Sequence, residues 1–217
     1  MLDLISVNVA VPAIIGMSRG NPVLSGILKR PVEKAFVRVS PANIEGDAQA
    51  DLRNHGGPDK AIYAYSADHY PWWTAQMGPA QPYRPGAFGE NLTLAGVDES
   101  DVHIGDIWQW GSAILQVCQP RYPCFKLALA TERPKIVKRF LESGRSGFYI
   151  RVLEPGEAPV CGPITVQEED SDGITVREAA LAVYEGATSA RQLEIAGHPA
   201  LAASWAAMLR HLGEPAA

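Results

Sequence analysis

The chain has few cysteines and no long hydrophobic run. Its 217 residues include three cysteines, Cys118, Cys124 and Cys161. So low and odd a number argues against a disulfide framework and favours a reducing compartment. It is also too few for a four-thiolate iron–sulfur cluster. No stretch reaches the roughly 18 apolar residues of a membrane helix, and the first residues lack the Lys/Arg-rich start of a signal peptide. We therefore expect a cytoplasmic location and no membrane partner.

A basic excess is missing as well. Lysine and arginine total 19 and aspartate and glutamate total 24, which gives a formal net charge of -5. Proteins that bind the nucleic-acid backbone usually carry a positive excess, so no nucleic-acid partner is expected. The hydrophobic fraction of 47% and the charged fraction of 20% are ordinary for a globular protein.

The chain does contain many short apolar runs that are separated by turn residues. The run 35–40 alternates as a half-buried strand does, and 106–110 and 113–118 flank a glycine turn that predicts a hairpin. Residues 148–153 and 163–168 predict two more strands, and 134–143 predicts one helix in this part of the chain. Short strands with Gly/Pro turns and few helices predict a mostly β fold that is closed or curled.

The C-terminal part has a different pattern. Thr175 with Glu178 three residues later is a capping box, and helical spacing of apolar residues follows it. Two more helices are predicted over 188–197 and 198–213. We therefore predict two domains, a β domain over 1–170 and a small three-helix domain over 171–217.

The strongest candidate for chemistry is the stretch VCQPRYPCFK, residues 117–126. Two prolines stiffen the loop that carries Cys124, and Arg121 and Lys126 place positive charge near it. Cations favour the thiolate, which is the form that attacks electrophiles and binds soft metals. The sequence leaves a second interpretation open, a buried structural cysteine in a turn. Cys118 is predicted to belong to the core, and no chemical role is predicted for Cys161.

Two other stretches offer polar groups with weaker signals. Residues 46–65 hold a tight loop in which two glycines allow a close approach of the backbone to an anion, and a lysine adds charge. As a lone motif this signal is weak, because two adjacent glycines more often mark an ordinary turn. Glu90 and Asn91, in PGAFGENLTL, are either ligand contacts or turn residues. His69 is predicted to be a packed, hydrogen-bonded histidine.

Taken in order, these stretches resemble the MOSC-domain family, and within it the YiiM-like branch. The residues that carry the resemblance are GDAQADLRNHGGPDKAIYAY, HYPWW, FGENLT, GDIWQWG and LQVCQPRYPCFKL. The helical tail is similar to the three-helix extension of that branch. The resemblance implies a MOSC-type β-barrel core that binds the molybdenum cofactor.

The resemblance also implies roles for particular residues. Cys124 matches the cysteine that is proposed to ligate molybdenum in this family, and a thiolate suits so soft a centre. It is therefore the predicted catalytic residue and metal ligand. The cofactor, molybdopterin with its metal, ends in a phosphate. The residues predicted to bind it are His55, Gly56, Gly57, Lys60, Asn91, Arg121 and Lys126.

The function implied by the resemblance is reduction of N-hydroxylated compounds such as 6-N-hydroxylaminopurine, a detoxification of base analogues. Tyr63, Tyr65 or Trp72 is expected to stack a purine. Because the chain carries no recognisable flavin, haem or iron–sulfur motif, electrons are expected from another protein, a flavoprotein reductase. A homodimer is left open.

Three alternatives remain at this level. The first is a carrier that holds the molybdenum cofactor without turnover. The second is a sulfur-transfer protein in which Cys124 carries a persulfide. The third is a cysteine hydrolase with His55 or His69 as base, which no spacing supports.

Overall fold

The computed structural model describes residues 2–78 and 82–214, and its centre is a closed β-barrel of seven strands. The strand order around the barrel is β12 (Gly162–Glu168), β8 (Ile107–Trp110), β9 (Ala113–Pro120), β10 (Phe148–Glu154), β6 (Ile62–Ser66), β7 (Leu92–Ala95) and β1 (Leu2–Val9). Pairing of β1 with β12 closes the barrel. Neighbours are antiparallel except for β6 and β7, which run parallel. Closure removes the exposed edges that an open sheet of this size would have. The predicted mostly β, barrel-type fold is confirmed.

The strands of the barrel are short, as the frequent turn residues predict. The remaining strands form additions outside this ring. They are β2 (Ala13–Ser18) paired with β3 (Asn21–Ser25), β4 (Arg30–Pro31) paired with β1, and β5 (Phe36–Val39) paired with β11 (Gly156–Pro159).

Strand β6 separates two hydrophobic cores. Every residue of β6 is buried, because both faces of the strand are covered. Ile62 and Ala64 belong to the larger core, which the barrel strands share. Tyr63 and Tyr65 alternate with them and belong to a second, aromatic-rich core. The second core therefore lies against the outer face of the barrel.

Helices cover this second core, and the few helices expected beside a MOSC-type barrel include three that no sequence pattern located. The helices of the first 170 residues are α1 (Leu52–His55), α2 (Tyr70–Met77), α3 (Phe125–Thr131) and α4 (Ile136–Ser143). The predicted helix corresponds to α4 and ends at Gly144, which has a left-handed φ of 64°. The signals for α2 were a proline in its first turn and Gly78 at its end.

The C-terminal segment contains the three expected helices, α5 (Val176–Tyr184), α6 (Ser189–Ala196) and α7 (Ala203–Gly213). Thr175 caps α5 as predicted, since its Oγ1 accepts a hydrogen bond from the Glu178 N–H at 3.0 Å. The last helix begins five residues later than predicted. Ala202 before it has an extended backbone, and its N–H donates to the Cys118 carbonyl of the barrel at 2.9 Å.

The three helices share the core of the barrel. Ala179, Ile195, Trp205 and Leu209 belong to the same buried cluster as the strand residues. Division of the chain into two domains at residue 170 stays a prediction. Within residues 2–78 and 82–214, no helix combines the length and the apolar character that crossing a membrane requires.

Candidate functional site

An open cleft lies beside β6 and the end of β9. Loops from distant parts of the chain meet there: the segment after β3, the loop before α1, the segment before β7 and the Cys124 loop. The cleft is lined by six of the eight residues that the sequence predicted as a site. These are His55, Lys60, Asn91, Arg121, Cys124 and Lys126.

Cys124 is the residue before α3, and the short helix α1 places a histidine beside it. The Cys124 Sγ lies 3.4 Å from the His55 Nε2. On the other side of the imidazole, the His55 Nδ1 lies 3.5 Å from the Asp51 Oδ2. Asp51 and His55 are four residues apart, which puts them on one face of a helical turn. A thiol, an imidazole and a carboxylate are therefore neighbours in the cleft.

This arrangement favours the thiolate. Burial alone would raise the pKa of the Cys124 thiol. The hydrogen bond with His55, the backbone N–H of Lys126 and the charges of His55 and Arg121 oppose burial and lower the pKa to about 7. Cys118 shows the opposite effect, because burial inside β9 raises its pKa to about 12. Close to neutral pH, Cys124 is thus the nucleophilic sulfur of this pair.

The pH dependence of alkylation tests this assignment. We expect the rate of Cys124 modification by iodoacetamide to rise with pH around a midpoint near 7, because only the thiolate attacks. The His55→Ala variant should show a higher midpoint and a slower reaction at pH 7. Site-resolved mass spectrometry separates Cys124 from the exposed Cys161, and Cys118 serves as the unreactive buried control. A parental midpoint near the ordinary thiol value of 9 would contradict the assignment.

Arg121 is a buried cation without a carboxylate. Only 6% of the residue is exposed. Its Nη1 donates to the Tyr63 hydroxyl at 3.1 Å, and its guanidinium lies 4.7 Å from the centre of the Tyr63 ring. Among the residues that the structure describes, no acidic side chain forms an ion pair with it. A buried charge is costly unless it is paired, so this guanidinium is suited to receive an anion from the cleft.

The loop that holds Arg121 in place depends on Gly147. The Arg121 N–H donates to the Gly147 carbonyl at 3.0 Å. A Cβ at residue 147 would lie 2.4 Å from the Ala64 carbonyl oxygen, so only glycine fits this approach to β6. The carbonyl of the preceding residue, Ser146, accepts a hydrogen bond from the Tyr63 hydroxyl at 2.8 Å.

A second cation in the cleft is neutralised. Lys29 forms a buried ion pair with Asp47, and burial lowers the pKa of the Lys29 amine despite that partner. The Asp47 Oδ2 also accepts from the Asn91 Nδ2 at 3.0 Å. The Asn91 Oδ1 in turn accepts from the Tyr63 N–H at 3.1 Å. The Asn91 amide thus ties β6 to this ion pair, while its predicted cofactor contact stays a prediction.

The other predicted residues divide into two groups. Lys60 and Lys126 line the cleft, and burial lowers the pKa of the half-buried Lys60 amine.

Gly56 and Gly57 do not line the cleft. A Cβ at Gly56 would lie 2.8 Å from the Leu52 Cδ2, and Gly57 has a φ of 94°. These glycines therefore shape the turn that follows His55. Their predicted contact with a cofactor has no support from this placement.

The aromatic residues are arranged differently from the expectation. Tyr63 lines the cleft, under Arg121. Tyr65 is fully buried in the second core, so its predicted stacking on a purine was wrong. Trp72 packs against Trp73 and under the Arg145 guanidinium, outside the cleft lining.

The sequence reasoning missed several lining residues. The lining residues that it did not single out include Lys29, Asp47, Asp51, Tyr122 and Tyr149. Lys29 and Tyr149 lie in segments without a motif, whereas Asp47, Asp51 and Tyr122 lie within quoted stretches in which other residues were chosen. The one available signal was the spacing of Asp51 and His55, which share a helical face.

Two buried residues, His69 and Glu90, have structural roles and do not line the cleft. His69 is buried, and its Nε2 lies 2.7 Å from the Glu99 Oε2. It is absent from the cleft lining, which removes it as a base for Cys124. Glu90 is also buried and accepts hydrogen bonds from the Gly86 and Phe88 N–H groups at 2.8 and 2.9 Å, so it holds the turn before β7.

The comparisons with known proteins agree with this fold. The model of the MOSC domain matches residues 51–171, which is more than half of the chain. The protein YflK of Bacillus subtilis is 42% identical over 189 residues, covering 87% of this chain and 84% of the relative. A crystal structure of YiiM from Geobacillus stearothermophilus superposes with a TM-score of 0.82 at 35% identity, covering 99% of this chain and all of the other.

A longer relative comes from a fungus. A protein of Gibberella moniliformis named reductase is 39% identical over 140 residues, covering 63% of this chain and 24% of that protein. The chain thus corresponds to about a quarter of this relative. The family match, the full-length superposition on YiiM and the cleft around Cys124 lead to one conclusion: the chain belongs to the MOSC-domain family, a family generally associated with the molybdenum cofactor, and is YiiM-like.

Proposed function

We propose that this protein is a molybdenum-cofactor-dependent reductase of N-hydroxylated compounds such as 6-N-hydroxylaminopurine. The reaction breaks an N–O bond: R–NH–OH, two electrons and two protons give R–NH₂ and water. The observation that carries the proposal is the position of Arg121, a buried guanidinium without a carboxylate, in the same cleft as the low-pKa thiol of Cys124.

The residues of the cleft fit an anionic cofactor with a soft metal. Four cations line it, Lys29, Lys60, Arg121 and Lys126, against two carboxylates, Asp47 and Asp51. Cys124 would hold the metal as a thiolate. Arg121 with Lys60 and Lys126 would hold the phosphate-bearing part, since Lys29 is paired with Asp47. When bound, the cofactor supplies a redox-active centre that exchanges the two electrons of the reaction.

The protein's own contribution is binding, orientation and charge. The His55 Nε2 lies 3.4 Å from the Cys124 sulfur, and the Asp51 carboxylate lies 3.5 Å from the other ring nitrogen. Tyr63 and Phe140 enclose the Arg121 guanidinium, which keeps water from one side of it. A charge in such partly dry surroundings acts more strongly on an anion than the same charge in water.

The electrons need an external source, and we propose a flavoprotein reductase as the partner. Some support for a redox role comes from the Gibberella relative, whose name is reductase. That protein is several times longer than the matched region, so its activity is not transferred to this chain. Homodimer formation stays an open proposal.

The test uses the full-length protein made in a host that synthesises the cofactor. We expect molybdenum to copurify in a ratio near one per chain, and the loaded protein to convert 6-N-hydroxylaminopurine to adenine with a chemical reductant. Measurements of metal content and product separate the alternatives. Bound molybdenum without product would instead support the non-catalytic carrier, and protein without molybdenum would contradict the proposal.

One observation favours a second candidate, a persulfide carrier. The Cys124 thiolate beside an imidazole is a nucleophile that can take the outer sulfur of a persulfide donor, leaving the donor as a thiol. Mass spectrometry after incubation with a persulfide donor would detect one extra sulfur on Cys124. A hydrolase would use the same thiol with His55 as base, and hydrolysis of a thioester substrate by the metal-free protein would reveal it.

A further inference from the structure

The C-terminal helices hold the end of strand β9, which leads into the Cys124 loop. The Ala202 N–H donates to the Cys118 carbonyl at 2.9 Å. The Ser204 Oγ lies 3.3 Å from the Gln119 Oε1. The Tyr184 hydroxyl, at the end of α5, donates to the Arg121 carbonyl at 2.7 Å. Three successive contacts therefore run along the strand toward the cleft.

The contact at Tyr184 differs from the other two because it acts on a residue of the site. Both main-chain polar groups of Arg121 are fixed, the carbonyl by Tyr184 and the N–H by the Gly147 carbonyl at 3.0 Å. The Tyr184 ring also meets the Tyr122 ring edge-on, with centroids 5.6 Å apart. Two consecutive residues of the Cys124 loop thus rest on one side chain of α5.

The direction of a buried side chain depends on the backbone that carries it. Within residues 2–78 and 82–214, Arg121 has no carboxylate partner to orient its guanidinium. Its backbone and its contacts with Tyr63 and Phe140 therefore define where it lies. We propose that Tyr184 is a positioning residue for the anion-binding guanidinium of Arg121 and for the Cys124 loop. The inference rests on the proposed role of this cleft as an anion site.

Consequently the three-helix segment acts as a structural part of the site without lining it. The cleft is lined by residues between Ser25 and Tyr149, and the family match ends at residue 171. Tyr184 lies beyond both limits. The residue that positions Arg121 therefore lies outside the region that matches the MOSC domain.

The test compares Tyr184→Phe with Ser204→Ala in cofactor-free, full-length protein. The first variant keeps the ring and removes the hydroxyl that contacts Arg121. The second removes another polar contact between the same helices and the same strand. The two readouts are the affinity for inorganic phosphate by calorimetry and the alkylation rate of Cys124 at pH 7, with the melting temperature as a measure of stability.

We expect Tyr184→Phe to weaken phosphate binding about fivefold, as loss of one hydrogen bond would, and to slow alkylation. Ser204→Ala should leave both unchanged. If Tyr184→Phe lowers only the melting temperature, or if both variants weaken phosphate binding equally, the proposal is overturned. Failure of the parent protein to bind phosphate would instead remove the anion site itself, and with it the proposed function of the cleft.

Discussion

Replacement of Cys124 by serine should abolish reduction of an N-hydroxylated purine while the protein stays folded. The serine hydroxyl is nearly the size of the thiol, so the packing of the loop before α3 changes little. The hydroxyl remains protonated at neutral pH and is a hard, poor ligand for a soft metal. The cations of the cleft remain, so we expect cofactor content to fall without vanishing, as measured by molybdenum analysis of protein from a cofactor-competent host.

Cys118→Ser is the matched control, because Cys118 is the same residue type six positions earlier on the same segment. It is fully buried, and its sulfur contacts the Asp59 and Tyr149 carbonyls at 3.3 and 3.4 Å. We expect a stability loss of about 1–3 kcal/mol if the new hydroxyl is poorly satisfied, with turnover retained below the melting temperature. Parental turnover in Cys124→Ser would remove this thiol from the mechanism.

Replacement of Arg121 by methionine should abolish phosphate binding without lowering the thermal stability of the anion-free protein. In the anion-free protein we expect the variant to be at least as stable as the parent, because an apolar side chain replaces a buried charge without an acidic partner. Phosphate should raise the melting temperature of the parent, since a ligand that binds only the folded state stabilises it. That increase should disappear in Arg121→Met. Thermal unfolding with and without phosphate measures both effects.

Arg145→Met is the control for this experiment. Arg145 also stacks on an aromatic ring, with its guanidinium 4.6 Å from the Trp72 centroid, but it does not line the cleft. Its replacement should leave the stabilisation by phosphate intact. A phosphate response in Arg121→Met as large as in the parent would show that the lysines, and not Arg121, form the anion site.

The sequence predicted elements well where one local pattern dominated. The hairpin of β8 and β9 follows from two apolar runs around Gly111, and the start of α5 follows from Thr175 and Glu178. Helices α2 and α3 were missed because their apolar residues serve the aromatic core on the outer face of β6. That requirement comes from packing against a distant strand, and no local propensity reports it.

The same division holds for the candidate site. The stiffened loop of Cys124, the two cations beside it and the buried character of Cys118 could be predicted, because they depend on near neighbours along the chain. Three other features became visible only in the folded protein: His55 lies 3.4 Å from the Cys124 sulfur, Asn91 binds Asp47, and Tyr65 is buried away from the cleft. Closure of the barrel brings together residues that are up to 69 positions apart in the sequence. The distances between such remote residues are set by topology and packing.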